Sequence, residues 1–229
     1  MPLSSPVTLV APPIWRYPRQ PSKFFHMLYL HLRAKFDTLL TLVGFKFTSS
    51  ESWASRPRFK AVRSNAIPTA KAMHARMNEA FAAGDREALR AICTPDLHRN
   101  LAGAIDARPR GIRTEWELVG YEQRWYYPRL ADWRVAVVPR PDGRYRSMKQ
   151  AVVSIASVQR IARYDDSPAG AGQMVPGSER LRHMLEHIVL QAEIDPNTYQ
   201  AGPWKIWGTI PESTYEGYLE EQLNFAAST

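Results

Sequence analysis

Apolar residues Met73, Met77, Ala80 and Phe81 recur at helical spacing, Gly84 breaks the run, and Asp85 offers an N-cap before Leu89, Ile92 and Cys93 resume the pattern. The spacing predicts a helix, a tight Gly-Asp corner and a second helix. Thr94-Pro95-Asp96 then restarts a third, shorter helical segment that ends near Ile105. From Trp116 onward the preference turns to β-branched and aromatic residues, the composition of strands. Helices first and strands afterwards predict an α+β fold.

The strand half reads in pieces. WELVGYEQRW and WRVAVVP, within residues 116–138, are strand-like and are separated by a turn at Tyr127-Pro128-Arg129. Pro139-Arg140-Pro141-Asp142-Gly143 is a strong hairpin signal. Residues 148–164 then form one long strand in which Val152, Ile155 and Val158 do not alternate strictly, so a bulge or bend within it is expected. A Gly/Pro/Ser loop spans 165–178, and residues 181–194 and 203–210 give a last antiparallel pair around Asp195-Pro196-Asn197.

Ahead of this body lies an arm. Pro2, Pro6, Pro12, Pro13, Pro18 and Pro21 keep residues 1–21 extended or polyproline-like. Neither a secretory signal nor a regular amphipathic presequence is visible there. Residues 22–47 form the most apolar long helix candidate, with Ser22 as N-cap and Phe25, Leu28, Leu32, Phe36, Leu39 and Val43 on one stripe. Lys23, Arg33, Lys35 and Asp37 interrupt it too often for a spanning helix of ~20 mainly apolar residues. The stripe suits an anionic bilayer surface, a partner protein or the body of the same chain, with an RNA groove as a further reading. Residues 48–68 read as a linker in which Trp53 and Phe59 interleave with Arg56, Arg58, Lys60 and Arg63. Cations that neutralise phosphate and rings that stack on bases form an RNA contact; a solvated linker is the plain alternative.

Charge sharpens the picture. The 229-residue chain carries +8 overall, but residues 1–78 hold twelve Lys/Arg against Asp37 and Glu51, a net +10, which leaves the remainder at −2. A basic arm on a nearly neutral body is expected where the arm meets nucleic-acid phosphate or anionic lipid. The tail after Ile210 carries Glu212, Glu216, Glu220 and Glu221, which either pair with the arm or face solvent. A 45% apolar fraction supports a real core, and the single cysteine, Cys93, excludes an intramolecular disulfide framework and reads as core packing. The division is a basic extension over 1–67 with its helix at 22–47, an α+β domain over 68–210, and an acidic tail over 211–229.

Catalytic signatures are sparse. His183-Met184-Leu185-Glu186-His187 matches the H-x-x-E-H pattern of one group of zinc peptidases. That site needs a helix, and here the residues run into Ile188-Val189-Leu190 and a turn, where a strand would separate the two histidines by ~13 Å. No phosphate-binding glycine loop, nucleophile elbow or dinucleotide fingerprint is present, and Asp165-Asp166 and Glu220-Glu221 sit in solvated contexts. No enzyme, metal or cofactor is expected.

With AFAAGDREALRAICTPDLHRNL, WYYPRLADWRVAVVP and GPWKIWGTI in view, residues 68–210 resemble the domain shared by the matrix-side import-motor subunit of the mitochondrial inner-membrane translocase and the mitochondrial large-subunit ribosomal protein forty-five family, including its fungal ribosome-receptor relative. The resemblance implies a cone-shaped nuclear-transport-factor-two-like fold, with helices packed on a curved antiparallel sheet. The short, aromatic, basic arm is closer to the ribosomal branch than to the import-motor branch. That branch implies a non-catalytic matrix protein of the large subunit near the polypeptide exit tunnel, tethering the ribosome to the inner membrane. Its implied partners are large-subunit rRNA, neighbouring ribosomal proteins, the inner membrane and the membrane-protein insertase, with no small-molecule substrate. RNA contact would fall to Arg16, Arg19, Lys23, Arg33, Lys35, Arg56, Arg58, Lys60 and Arg63, and membrane or partner contact to Phe25, Leu28, Leu32, Phe36, Leu39 and Val43. A transiently bound membrane receptor, or a cone-fold enzyme or binding protein with a pocket beneath the helices, are the alternatives.

Overall fold

The computed structural model describes residues 8–50, 55–60, 64–122, 126–139, 145–168, 170 and 172–227. Four α-helices precede a six-stranded antiparallel sheet and one follows it, an α+β fold. They are α1 (Pro21–Thr48), α2 (Ala66–Ala83), α3 (Arg86–Ile92), α4 (Pro95–Asp106) and α5 (Tyr215–Ala227). The strands are β1 (Ile112–Tyr121), β2 (Arg129–Pro139), β3 (Tyr145–Asp165), β4 (Gln173–Met174), β5 (Arg180–Ile194) and β6 (Lys205–Ile210).

The helical corner forms as its residues dictate. Gly84 closes α2 in the left-handed region at φ 76°, where a Cβ would be strained, and the Asp85 carboxylate accepts a hydrogen bond from Ala88 N at 2.9 Å to cap α3. Cys93 then joins β6 through a parallel bridge to Ile206, and Thr94 N donates to Ile206 O at 2.8 Å, so α3 and α4 are pinned to the sheet edge.

β3 is the spine. One edge of it pairs with β5; the other pairs with β2 along its first half and with β1 along its second. Its centre is buried on both faces, which is why its sequence does not alternate. The irregularities expected inside it lie instead in its neighbours: the register shifts between Leu118 and Gly120 on β1 and between Leu130 and Asp132 on β2. The hairpin signal at 140–143 falls outside the described residues.

One face of the sheet packs Ala151, Val153, Ile155, Ile188, Leu190 and Trp133 against α2, α3 and the far end of α1. Burying each large apolar side chain contributes roughly 1.5–3 kcal/mol. The other face is covered where Val10 meets Ala131, Val152 and Val189. Within the described part of the proline-rich segment, residues 8–13 form neither helix nor strand and Ile14–Arg16 form one turn of 3-10 helix, so the segment is not extended throughout. It is structural, since Val10 N donates to Ser213 Oγ at 3.0 Å and Ser213 N returns a bond to Val10 O at 3.0 Å. Several boundaries differ from the sequence reading: α2 begins at Ala66, inside the residues read as linker, and β1 begins at Ile112, ahead of Trp116. Ser22 lies inside the first turn of α1, because Pro21 occupies the first helical position and Gln20 the cap. The acidic tail is largely a helix, α5, whose Tyr218 joins Met27, Leu30, Leu9 and Tyr17 in a second apolar cluster.

Candidate interaction surface

α1 separates two apolar faces. Met27 and Leu30 bury against α5 and the N-terminal segment, and Leu42 enters the main core beside Phe59. Of the stripe read from the sequence, Phe25, Leu32, Phe36, Leu39 and Val43 all face solvent, Phe25 at 66% and Leu32 at 62% exposure, while Leu28 is half-buried against the second cluster. Tyr29, which the sequence reading passed over, falls in line with them. The resulting order 25, 29, 32, 36, 39, 43 steps by four and three residues, so it forms one continuous seam along an α-helix. Large apolar side chains gathered on one outer face are the signature of a contact surface, since monomers rarely leave extensive apolar patches uncovered. Among the described residues, no helix is long and apolar enough to cross a membrane.

Several candidate RNA-binding cations are held within the protein. Arg16 pairs with Glu212 at 3.1 Å and Lys23 with Glu216 at 2.9 Å, so basic arm and acidic tail meet. The Lys23 hydrogen bond holds the Glu216 carboxyl below its ordinary value. Lys35 donates to Ala131 O at 2.5 Å and lies 3.9 Å from Asp132, Arg33 lies 3.9 Å from Asp37, and Arg58 donates to Asn197 O at 3.3 Å. Arg19, Arg56 and Lys60 are exposed, and Arg63 and Trp53 lie outside the described residues. Phe59 is 3% exposed and packs edge-to-face on Phe45 and at a tilt to Trp133, so its ring belongs to the core.

The histidine pattern on β5 is dispersed by the strand. His183 Nδ1 lies 2.6 Å from Glu122, His187 Nδ1 lies 2.8 Å from Ser154 Oγ, and Glu186 points to the opposite face, where its Oε2 is 2.9 Å from His74 Nε2 and accepts from Gln159 Nε2 at 2.7 Å. Burial raises the Glu186 carboxyl, but the His74 and Gln159 contacts outweigh it and leave the group below its ordinary value. The neighbouring half-buried Tyr121 hydroxyl, partly desolvated and facing Glu186 and Glu79, is pushed up to about 12 and donates to Lys71 O at 2.7 Å. Trp116 Nε1 donates to Gln159 Oε1 at 2.8 Å, closing the network between α2 and the sheet. The network ties helix to sheet through His74 Nε2, while the buried His74 Nδ1 has no hydrogen-bond partner among the described residues. Of the tryptophans, Trp133 is core, Trp204 packs partly against it and Trp207 is 37% exposed; Trp125 lies outside the described residues.

No protein family matches the chain, and no curated protein does. Among solved structures, the intermembrane-space region of the chloroplast protein ARC6 is similar at a TM-score of 0.32 and 12% identity, covering 63% of this chain and 94% of that one. Likeness at that level carries no argument about function.

Proposed function

We propose that this chain is a structural component of the mitochondrial large ribosomal subunit near the polypeptide exit tunnel, which contacts rRNA and helps tether the ribosome to the inner membrane for co-translational insertion. The observation that carries the reading is the outward seam of α1, an aromatic-rich apolar stripe on a helix too charged to span a bilayer. Laid in a membrane plane, Phe25, Tyr29, Leu32 and Phe36 enter the headgroup boundary and Arg33 meets lipid phosphate. Exposed Arg19, Arg56 and Lys60 supply phosphate contacts to rRNA. The role is one of positioning, without a catalytic residue, metal or cofactor. Its setting is the matrix face of the inner membrane, beside neighbouring ribosomal proteins and the insertase. The resemblance of residues 68–210 to the ribosomal protein forty-five domain supports this placement.

Sucrose-gradient sedimentation of tagged protein from solubilised mitochondria, at low and then high salt, tests it. Co-migration with the large subunit through high salt is the expected result. Release at high salt with retention in the membrane fraction identifies a transient receptor instead. Absence from ribosomes at both salts overturns the ribosomal reading.

A further inference from the structure

A second basic feature lies away from the arm. The last turn of α3, one side of α4 along its whole length and the first residue of β6 enclose a cleft of ≈ 680 Å³, lined among others by Arg90, Cys93, His98, Arg99, Gly103 and Lys205. Arg90 and Lys205 are far apart in sequence, and the Cys93–Ile206 bridge brings their elements together. The acid on the rim, Asp106, is paired with Arg86, and Arg99 is 3.2 Å from Asp96. Arg90, His98 and Lys205 have no carboxylate or hydrogen-bond partner among the described residues. Two fixed positive charges therefore face one concave space whose floor is the buried apolar Cys93. β6 is one edge of the sheet, while α1 packs on β2 at the other.

We infer that this cleft binds the phosphodiester backbone of RNA. The inference rests on the rRNA-contacting reading proposed above and adds to it a site that the arm does not contain. Unpaired cations over a concave, partly apolar floor offer charge to phosphate and contact area to sugar, and neutralising phosphates releases counterions. A cleft at the β6 edge leaves the α1 seam free, so RNA and a bilayer can be held at once by one small domain.

Fluorescence anisotropy with a single-stranded RNA 20-mer, over 50–300 mM salt, tests the site in the full chain. Arg90→Ala/Lys205→Ala is compared with Arg56→Ala/Lys60→Ala in the arm, and thermal melts confirm that each variant folds. Loss of two phosphate contacts should lower the salt slope by about 1.4 and the affinity on the order of tenfold. Gly103→Leu adds bulk where an added Cβ meets nothing within 4 Å, and should weaken binding with every charge retained. Weakening by the arm pair alone, with both cleft variants at wild-type affinity, overturns the cleft and leaves the RNA reading standing. Wild-type protein that binds vesicles of anionic phospholipid but no RNA overturns both.

Discussion

His74 on α2 and Glu186 on β5 meet at 2.9 Å, Nε2 to Oε2, with the histidine fully buried beneath the helix. The contact joins positions 112 residues apart and fixes where α2 crosses the sheet. Glu186 is held in its charged form by His74 and Gln159 against the cost of burial, so its carboxyl titrates below the ordinary value in the folded state. A depressed carboxyl contributes stability that is present above its unfolded pKa of about 4.3 and is lost as pH falls through the folded value. Glu186→Gln removes that contribution and weakens the hydrogen bonds, so it should cost roughly 1–3 kcal/mol at pH 7 and flatten the acid limb below pH 4.5. Urea unfolding at pH 7 and pH 3.5 measures both; identical acid limbs in the two proteins would rule the role out.

His187, one residue further along β5, acts in a different pH window. Burial, helped by the positive charge of Arg129, lowers its pKa to about 4, and Ser154 Oγ lies 2.8 Å from its Nδ1. A histidine depressed in the folded state is protonated first in the unfolded one. Its stability contribution is therefore whole above pH 6.5 and declines as pH falls towards 4. From pH 7 to pH 5 the wild-type protein should lose on the order of 2 kcal/mol, and His187→Gln should lose distinctly less. Parallel stability curves for the two proteins sink the assignment.

Where local chemistry decides the backbone, the sequence was readable. Gly84 and Asp85 form the predicted corner because a left-handed cap and a carboxylate N-cap need no distant partner. The strand through His183 and His187 was readable from its β-branched continuation, and it disperses the zinc-like spacing across two faces. The spacing on α1 picked out five residues that do face solvent, Phe25, Leu32, Phe36, Leu39 and Val43, but not that they face outward rather than the body, since Met27, Leu30 and Leu42 are as apolar and only packing separates them. α5 was read as a tail because of Glu212, Glu216, Glu220 and Glu221, although Tyr218 is its anchor. The Arg90–Lys205 cleft exists only once β6 is folded against α3, so no window of sequence could display it.

Cys93 is 1% exposed, and burial pushes its thiol up to about 11 despite the positive charge of Lys205. The thiolate is the reactive form, so at pH 7.5 the folded protein should resist a maleimide or a disulfide reagent. Labelling should track global unfolding, rising over the same urea range as the loss of circular dichroism. Rapid labelling of the native protein would mean that the bridge between Cys93 and Ile206 opens independently of the rest of the sheet.

The two faces of α1 should respond oppositely to substitution. Phe36 and Leu39 are 58% and 51% exposed, so Phe36→Glu/Leu39→Glu removes little buried area and should change folding stability by no more than about 0.5 kcal/mol per site. The same double variant places two negative charges in the seam and should abolish flotation with vesicles containing anionic phospholipid. Leu42→Ala, from a side chain 6% exposed in the main core, should instead cost about 2–5 kcal/mol and leave flotation intact under conditions where the protein remains folded. Tyr218→Ala in the cluster beneath α1 should likewise lower stability without touching the seam. If the glutamate variant unfolds the protein, the seam is structural; if it is stable and still floats, the bilayer is held elsewhere and the seam serves a protein partner.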